Sequence, residues 1–182
     1  MTDVDLATRF IERSRYYLAT EYPAKISAAV RAIPAAQLWW RPNASANSAG
    51  NLVLHLAGNV RQWVVSGIGG APDVRERDAE FAATGGLETE ALLAMLHAAV
   101  RDADTVLAAL SPADLGVARR IQGRDTTVFA ALYHVVEHFS GHTGQVILLA
   151  KQCTPQAVRF YDDTGGLAKP LFLPDGVADI AD

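Results

Sequence analysis

Apolar residues recur every three or four positions in four long stretches of the chain, which predicts four amphipathic helices. Pro23 should kink or split the first helix near Tyr22, because proline removes a backbone donor and clashes with the preceding turn. Asn47 or Ser48 is the expected N-cap of the second helix, and Thr126 is that of the fourth. The predicted helices span about 4–33, 48–66, 88–110 and 127–151.

One segment between these helices is long. Residues 73–86 form a crossover between the second and third helices, whereas antiparallel neighbours in a bundle are usually joined by about two to eight residues. These two helices should therefore not form a simple hairpin. We predict an all-α fold, an antiparallel four-helix bundle with a long crossover between helices 2 and 3, as a single domain over residues 1–182.

Two further segments lack helical periodicity. Residues 114–125, between the third and fourth helices, give weak evidence for a short pair of extended strands. The chain from about residue 152 is rich in proline and glycine, which predicts an irregular tail. Within this tail, Leu171 and Phe172 are the apolar residues that could pin it to the bundle.

Composition places the chain among ordinary globular proteins. Half of its 182 residues are hydrophobic and a fifth are charged, which is too apolar for a disordered chain. The formal net charge of −4 gives no electrostatic reason to expect nucleic acid or an anionic membrane as a partner. No run of about 18 apolar residues predicts a membrane span, and the acidic start lacks signal-peptide features. Since Cys153 is the only cysteine, no intrachain disulfide can form, and we expect a cytoplasmic protein.

Three of the five histidines, His134, His138 and His142, lie in the fourth predicted helix. Residues four apart lie on neighbouring turns of one helix face, so either consecutive pair could bind one cation. Each step of four drifts about 40° around the helix, which favours two ligands over three, but spacing alone does not choose the pair. Glu137 lies at the wrong offset for the HExxH motif of zinc proteases, and we expect a solvated charge there.

A third ligand has to come from another helix, and His55 is the best candidate. It lies on the apolar face of the second helix, where a neutral imidazole needs a metal ion or a hydrogen-bond partner. The alternative is a core histidine bonded to a neighbour, which is the commoner situation for a lone histidine on such a face. His97, on the third helix, is expected to be structural or surface-facing.

Several short motifs, in their order along the chain, resemble the DinB-like superfamily of metal-binding four-helix bundles, which includes the YfiT-like metal-dependent hydrolases. The resemblance extends from about residue 6 to residue 152, and the last motif is the most specific. Gly141 and Thr143 depart from the common form of that motif, which affects the expected pocket shape. The motifs are WWRP at 39–42, LVLHLAGN at 52–59, RERDAEF at 75–81 and EHFSGHTGQ at 137–145.

The resemblance implies a divalent metal ion, nickel or zinc, held by three histidines. The family's histidine on the second helix corresponds to His55, and its HxxxH pair corresponds to His138 and His142, which leaves His134 one turn outside. The resemblance also implies homodimers. Some characterised relatives are enzymes that use low-molecular-weight thiols, such as mycothiol-dependent maleylpyruvate isomerase and bacillithiol transferases.

We expect a metal-dependent enzyme whose three-histidine site activates a thiol or water for transfer to, or hydrolysis of, a small electrophilic substrate. Asn59, one turn after the histidine of the second helix, could orient that group. His134 is the first candidate for handling protons, ahead of Tyr133. The carboxylates of Asp78 and Glu80 could reach the site, but a solvated loop is the expectation for both.

The alternative is a non-catalytic metal- or ligand-binding protein of the stress response, with the bundle as a dimerisation scaffold. An enzyme should have an open metal position at the base of a pocket lined by Trp63 and His134, whereas a structural site should be closed by a fourth protein ligand. Cys153 is discounted as a nucleophile, because no histidine lies near it in the sequence.

Overall fold

The computed structural model describes residues 3–154, 158–166 and 168–173, and within them the chain is mostly helical. Two π-helical stretches, Tyr17–Glu21 and Arg61–Ile68, continue the helices that precede them. Short 3₁₀ turns occupy Ala35–Gln37 and Pro112–Gly116. The α-helices are α1 (Asp3–Tyr16), α2 (Tyr22–Ala32), α3 (Ala49–Val60), α4 (Arg77–Ala82), α5 (Thr89–Ala108) and α6 (Val128–Cys153). The strands are β1 (Ala118–Ile121), β2 (Arg124–Thr127), β3 (Tyr161–Asp162) and β4 (Lys169–Pro170).

Four long helical segments pack around one hydrophobic core. The first bundle helix consists of α1, the π-helical stretch and α2, and the second consists of α3 with its π-helical extension, while α5 and α6 are the third and fourth. Among the described helices, none is both long and apolar enough to cross a membrane. The predicted all-α bundle is confirmed. Each bundle helix contributes a fully buried large side chain to the core, in order Ile26, Leu56, Leu96 and Phe139.

Contacts between residues give the helix directions. The second and third bundle helices are parallel, since Arg61 pairs with Asp102 and, further along both helices, Gly69 lies against Val106. Parallel helices cannot be joined by a short turn, which explains the long crossover. The first and third helices, and likewise the second and fourth, are antiparallel. The first and third helices are joined by Arg15–Asp104 and Arg31–Glu90. The second and fourth are joined by His55–His142 and Trp63–His134.

Side-chain caps begin two of the bundle helices. Ser48 caps α3 by accepting a hydrogen bond from the Asn51 N–H at 3.1 Å, and the Asn51 side chain accepts one from the Ser48 N–H. Thr127 caps α6 by accepting from the Ala130 N–H at 3.2 Å. The predicted cap, Thr126, is therefore wrong by one residue, because the pairing of β1 with β2 continues through both threonines.

Pro23 changes the type of the first helix without ending it. The π-helical stretch Tyr17–Glu21 precedes it, and α-helical bonding resumes from Tyr22. The proline lies in the first turn of α2, where backbone N–H groups have no partner within the same α-helix. The predicted split near Tyr22 is thus a local widening of a helix that otherwise continues.

The crossover contains a helix, α4, that the periodicity did not predict. Its backbone is tied to the start of the second bundle helix, because the Asn51 side-chain amide donates to the carbonyl oxygens of Glu80 and Ala83 at 2.9 and 2.8 Å. Arg41 donates to the carbonyl oxygen of Phe81 at 2.6 Å. The crossover is therefore a fixed structural segment that packs on α3.

Two small antiparallel hairpins complete the described fold, β1 with β2 and β3 with β4. The first confirms the short extended pair between the third and fourth helices. The second lies in the tail, which the sequence predicts to be mostly irregular, and its strands are two residues long, at 161–162 and 169–170. Phe172 packs against the core, whereas Leu171 is 54% exposed. The predicted tail at 155–157, at 167 and from 174 onward lies outside the described residues.

Candidate metal centre

Three histidines from two antiparallel helices come together between α3 and α6. His55 lies on α3, and His138 and His142 lie one turn apart on α6. Their ligand nitrogens lie within 4.8 Å of one another, and Nε2 of His55 is 2.9 Å from Nε2 of His138. The helical repeat places the two α6 histidines on one face, and the antiparallel packing brings the third opposite them. Within the described residues, no cysteine or carboxylate joins this group.

Two of these imidazoles have their other ring nitrogen beside a polar side chain. Nδ1 of His142 is 2.7 Å from Oε1 of Gln145, and Nδ1 of His55 is 2.9 Å from Oε2 of Glu80. A hydrogen bond at one ring nitrogen fixes which nitrogen carries the proton. With the Gln145 oxygen accepting, the proton of His142 is on Nδ1, and its Nε2 lone pair is available to a metal ion.

The carboxylate beside His55 belongs to a buried ion pair from the crossover. The side chains of Arg75 and Glu80 are 4% and 10% exposed, and Nε of the arginine donates to Oε1 of the glutamate at 2.7 Å. A Cβ at Gly58 would lie 1.9 Å from that oxygen, so the close approach needs a glycine. The expectation of a solvated loop is wrong for Glu80, because this residue lies in α4 with its side chain buried. Asp78, in the same helix, is exposed as expected.

Burial and like charges keep the α6 imidazoles neutral. Desolvation, together with the charges of the neighbouring His142 and His55, lowers the pKa of His138 to about 3. Desolvation also lowers the pKa of His142. Burial alone would raise the pKa of Glu80, but hydrogen bonds from Arg75 and His55 outweigh burial and hold this pKa below its ordinary value. At neutral pH the site therefore combines neutral imidazoles on α6 with an ionised carboxylate beside His55.

His134 lies beside the three-histidine group and is not part of it. Its ring contacts that of Trp63, with centroids 4.3 Å apart, and its centroid is 5.4 Å from that of His138. Burial lowers the pKa of His134, so this imidazole is also neutral at pH 7. Asn59 is 3% exposed, and neither its Oδ1 nor the Nε1 of Trp63 has a hydrogen-bond partner among the described residues.

The other candidates from the sequence lie away from this group. Tyr133 is 59% exposed, and Glu137 is exposed as predicted. His97 is structural as predicted, because its Nε2 is 3.0 Å from the Ser27 hydroxyl and the contact joins the third and first bundle helices. Cys153 is buried, and burial raises the pKa of its thiol, which disfavours the reactive thiolate.

Among the cavities in the described part of the chain are three of about 510, 530 and 440 Å³, and no histidine lines any of these three. The first lies between α3 and the crossover, with Arg75 and Glu80 in its wall and Leu54, Val65 and Met95 among its apolar lining. The other two lie along α6 on its Ser140 side. None of these three is the expected pocket lined by Trp63 and His134, whose rings pack against each other.

The fold is similar to that of a DinB-like protein from Bacillus cereus ATCC 10987, with a TM-score of 0.62. The two chains are 17% identical, and the match covers 82% of this chain and 95% of that chain, so the likeness shows the fold alone. Together with the family match, it confirms a DinB-like helical bundle. The chain belongs to the family described as protein of unknown function (DUF1572), whose model matches residues 5–160. No curated protein matches the chain.

Proposed function

We propose that His55, His138 and His142 bind one divalent metal ion. The observation that carries this proposal is the convergence of three ring nitrogens within 4.8 Å of one another. Imidazole nitrogens this close to one another can each give a lone pair to a single cation. The donor set fits the proposal, because imidazole nitrogen is a preferred ligand of both zinc and nickel.

The proposed activity is a metal-dependent transfer or hydrolysis reaction on a small electrophilic substrate. A divalent ion at this site would act as a Lewis acid and lower the pKa of a thiol or water. Three histidines without a fourth ligand in the described residues favour an open, reactive site over a closed structural one. A low-molecular-weight thiol is the proposed cosubstrate, as in the thiol-using enzymes that the superfamily contains.

Asn59 and His134 are the residues that we propose assist this reaction. The buried Oδ1 of Asn59 has no hydrogen-bond partner in the described residues and can accept a hydrogen bond from a thiol or water before that group loses its proton. His134 is held against Trp63 beside His138, and its neutral imidazole can accept a proton at neutral pH. Both residues therefore orient or deprotonate a group without binding the metal.

A non-catalytic metal- or ligand-binding protein is the second candidate. One observation favours it: none of the three cavities described above is lined by a histidine. Substrate turnover in the metal-loaded protein distinguishes the two candidates, since metal binding alone is common to both.

The assembly and location that we propose follow from the sequence and the surface. A homodimer is supported by exposed large apolar side chains, among them Leu6, Phe129 and Tyr133. We propose one domain over residues 1–182 in the cytoplasm, acting on a small molecule. The net charge of −4 supports neither nucleic acid nor an anionic membrane as a partner.

Metal content tests the proposed site. Protein purified without an affinity tag is analysed by mass spectrometry for nickel and zinc, as wild type and as His138→Ala. We expect about one equivalent in the wild type and a large loss in the variant, because one of three ligands is removed. His97→Ala is the matched control, since His97 is outside the group and should leave the metal content unchanged. A wild type that carries no metal, and takes up none at micromolar concentration, would refute the proposal.

A further inference from the structure

The buried pair of Arg75 and Glu80 has no role in the chemistry proposed above. Within α4, which is described in full, Glu80 is the one buried residue. Taking both charges out of water costs free energy, and well-packed apolar residues in place of a buried ion pair are often equally stable. Stability alone therefore does not account for a charged pair at this place.

The atoms of this pair are directed at His55. Arg75 donates to both carboxylate oxygens of Glu80, through Nε to Oε1 at 2.7 Å and through Nη2 to Oε2 at 2.8 Å. Oε2 is also 2.9 Å from Nδ1 of His55, which leaves the carboxylate fixed on one side and facing the imidazole on the other. The Phe81 ring, 4.6 Å from the imidazole by centroids, packs against the same histidine. Three residues of the RERDAEF motif at 75–81 thus contact His55.

Nδ1 of His55 has two neighbours that favour opposite tautomers. Glu80 can only accept a hydrogen bond, which requires the proton on Nδ1 and leaves the Nε2 lone pair free. Arg75 can only donate, and its Nη2 is 3.0 Å from Nδ1, which would require the proton on Nε2. In that second tautomer the Nε2 proton points at His138, 2.9 Å away, and His55 has no lone pair there for a metal ion.

The geometry favours the tautomer in which Nδ1 of His55 donates to Glu80. Nη2 of Arg75 already donates to Oε2 of Glu80, so it does not need Nδ1 as an acceptor. A hydrogen bond from an imidazole N–H to a carboxylate is charge-assisted and about twice as strong as a neutral one. Gly58 and Asn51 hold the carboxylate in reach, the first by leaving space and the second by fixing the backbone of α4.

We propose that Glu80 is a positioning residue that holds His55 in its Nδ1–H tautomer and so presents Nε2 to the metal ion. This inference rests on the proposed metal site, and Glu80 itself does not touch the ion. Partners of this kind orient a ligand ring and raise its basicity, and their loss typically weakens metal binding by about 10- to 100-fold.

Two measurements on the full-length protein test this role. The first is a long-range ¹H–¹⁵N correlation spectrum of the metal-free wild type, which reports which ring nitrogen of His55 carries the proton. The second is the affinity for Co²⁺, by competition with a chelator, in wild type, Glu80→Gln and Glu137→Gln. Glu137 is the matched control, because its exposed carboxylate lies one residue from His138 and contacts no ring of the group among the described contacts.

We expect the His55 proton on Nδ1, a Co²⁺ affinity lowered about 10- to 100-fold in Glu80→Gln, and wild-type affinity in Glu137→Gln. A proton on Nε2 in the wild type, or a Glu80→Gln protein that binds Co²⁺ as tightly as wild type, would overturn the inference. The spectrum needs no variant, so it decides the tautomer even if Glu80→Gln fails to fold. A wild type that has the Nδ1 proton but binds no Co²⁺ would refute the metal site and leave the tautomer assignment standing.

Discussion

Two arginine–glutamate pairs in this molecule, one between two bundle helices and one within the crossover, differ in burial. The side chains of Arg31 and Glu90, between the first and third bundle helices, are 54% and 69% exposed, whereas those of Arg75 and Glu80 are 4% and 10% exposed. The shortest bonds are similar, at 2.8 and 2.7 Å. Water screens the exposed pair, but each buried charge depends on its partner. The same two residue types therefore form a minor surface contact in one region and the support of a candidate site in the other.

The largest expected effect comes from breaking the buried pair. Arg75→Met leaves the carboxylate of Glu80 buried without its guanidinium bonds, and the free energy of unfolding should fall by about 3–5 kcal/mol. Urea denaturation measures this loss. Arg31→Met makes the same change in the exposed pair and should leave the denaturation midpoint close to that of wild type. Equal losses in the two variants would mean that burial does not distinguish the pairs.

A smaller effect should follow from filling the space beside the buried pair. A Cβ at Gly58 would lie 1.9 Å from Oε1 of Glu80, so Gly58→Ala has to displace the carboxylate. We expect a loss of about 1–3 kcal/mol in unfolding free energy, together with weaker metal binding. Gly144→Ala is the control, because that helical glycine has no atom within 4 Å of the added methyl, and alanine there should stabilise the helix by up to about 1 kcal/mol. A stabilised Gly58→Ala protein would contradict the proposed close approach.

The smallest expected effect is a pH dependence of stability that comes from His97, which lies near the exposed pair of Arg31 and Glu90. Burial lowers the pKa of His97, and the charges of Arg31 and Arg101 lower it further, while Glu90 opposes them. The unfolded chain, with a histidine pKa of about 6.5, therefore binds more protons than the folded protein between the lowered pKa and that value. The contribution of His97 to the free energy of unfolding is fully present above about pH 6.5. It is lost as the pH falls from there through the lowered pKa. The melting temperature of His97→Gln, measured across the window, should rise less steeply with pH than that of wild type, and parallel curves would exclude this contribution.

The helices and the three histidines could be predicted from the sequence for a common reason. Burial of one face gives a helix its apolar period, and the same period places His138 and His142 side by side. The cap of the second bundle helix could be narrowed to Asn47 or Ser48 because capping depends on local side-chain chemistry, and Ser48 is the cap. The choice of His138 and His142 over His134 came from the family resemblance, since spacing alone left both pairs possible.

The crossover could not be predicted in the same way. α4 has six residues, and its one buried side chain is the carboxylate of Glu80, so it has no apolar period to detect. The burial of that carboxylate depends on Arg75 five residues earlier, on the space at Gly58 and on His55, which lies 25 residues away along the chain. Only the packing of the folded chain brings these groups together. The RERDAEF motif was the one signal in the sequence that marked this segment.

The central claim is that His55, His138 and His142 bind one metal ion together. The most direct test is an anomalous difference map from crystals grown with Zn²⁺ near neutral pH, recorded on both sides of the zinc absorption edge. An ion held by all three histidines would give one strong peak among the imidazoles, about 2.0–2.1 Å from a ring nitrogen of each. A map without a peak there, or with zinc bound by only one of the three histidines, would refute the three-histidine site.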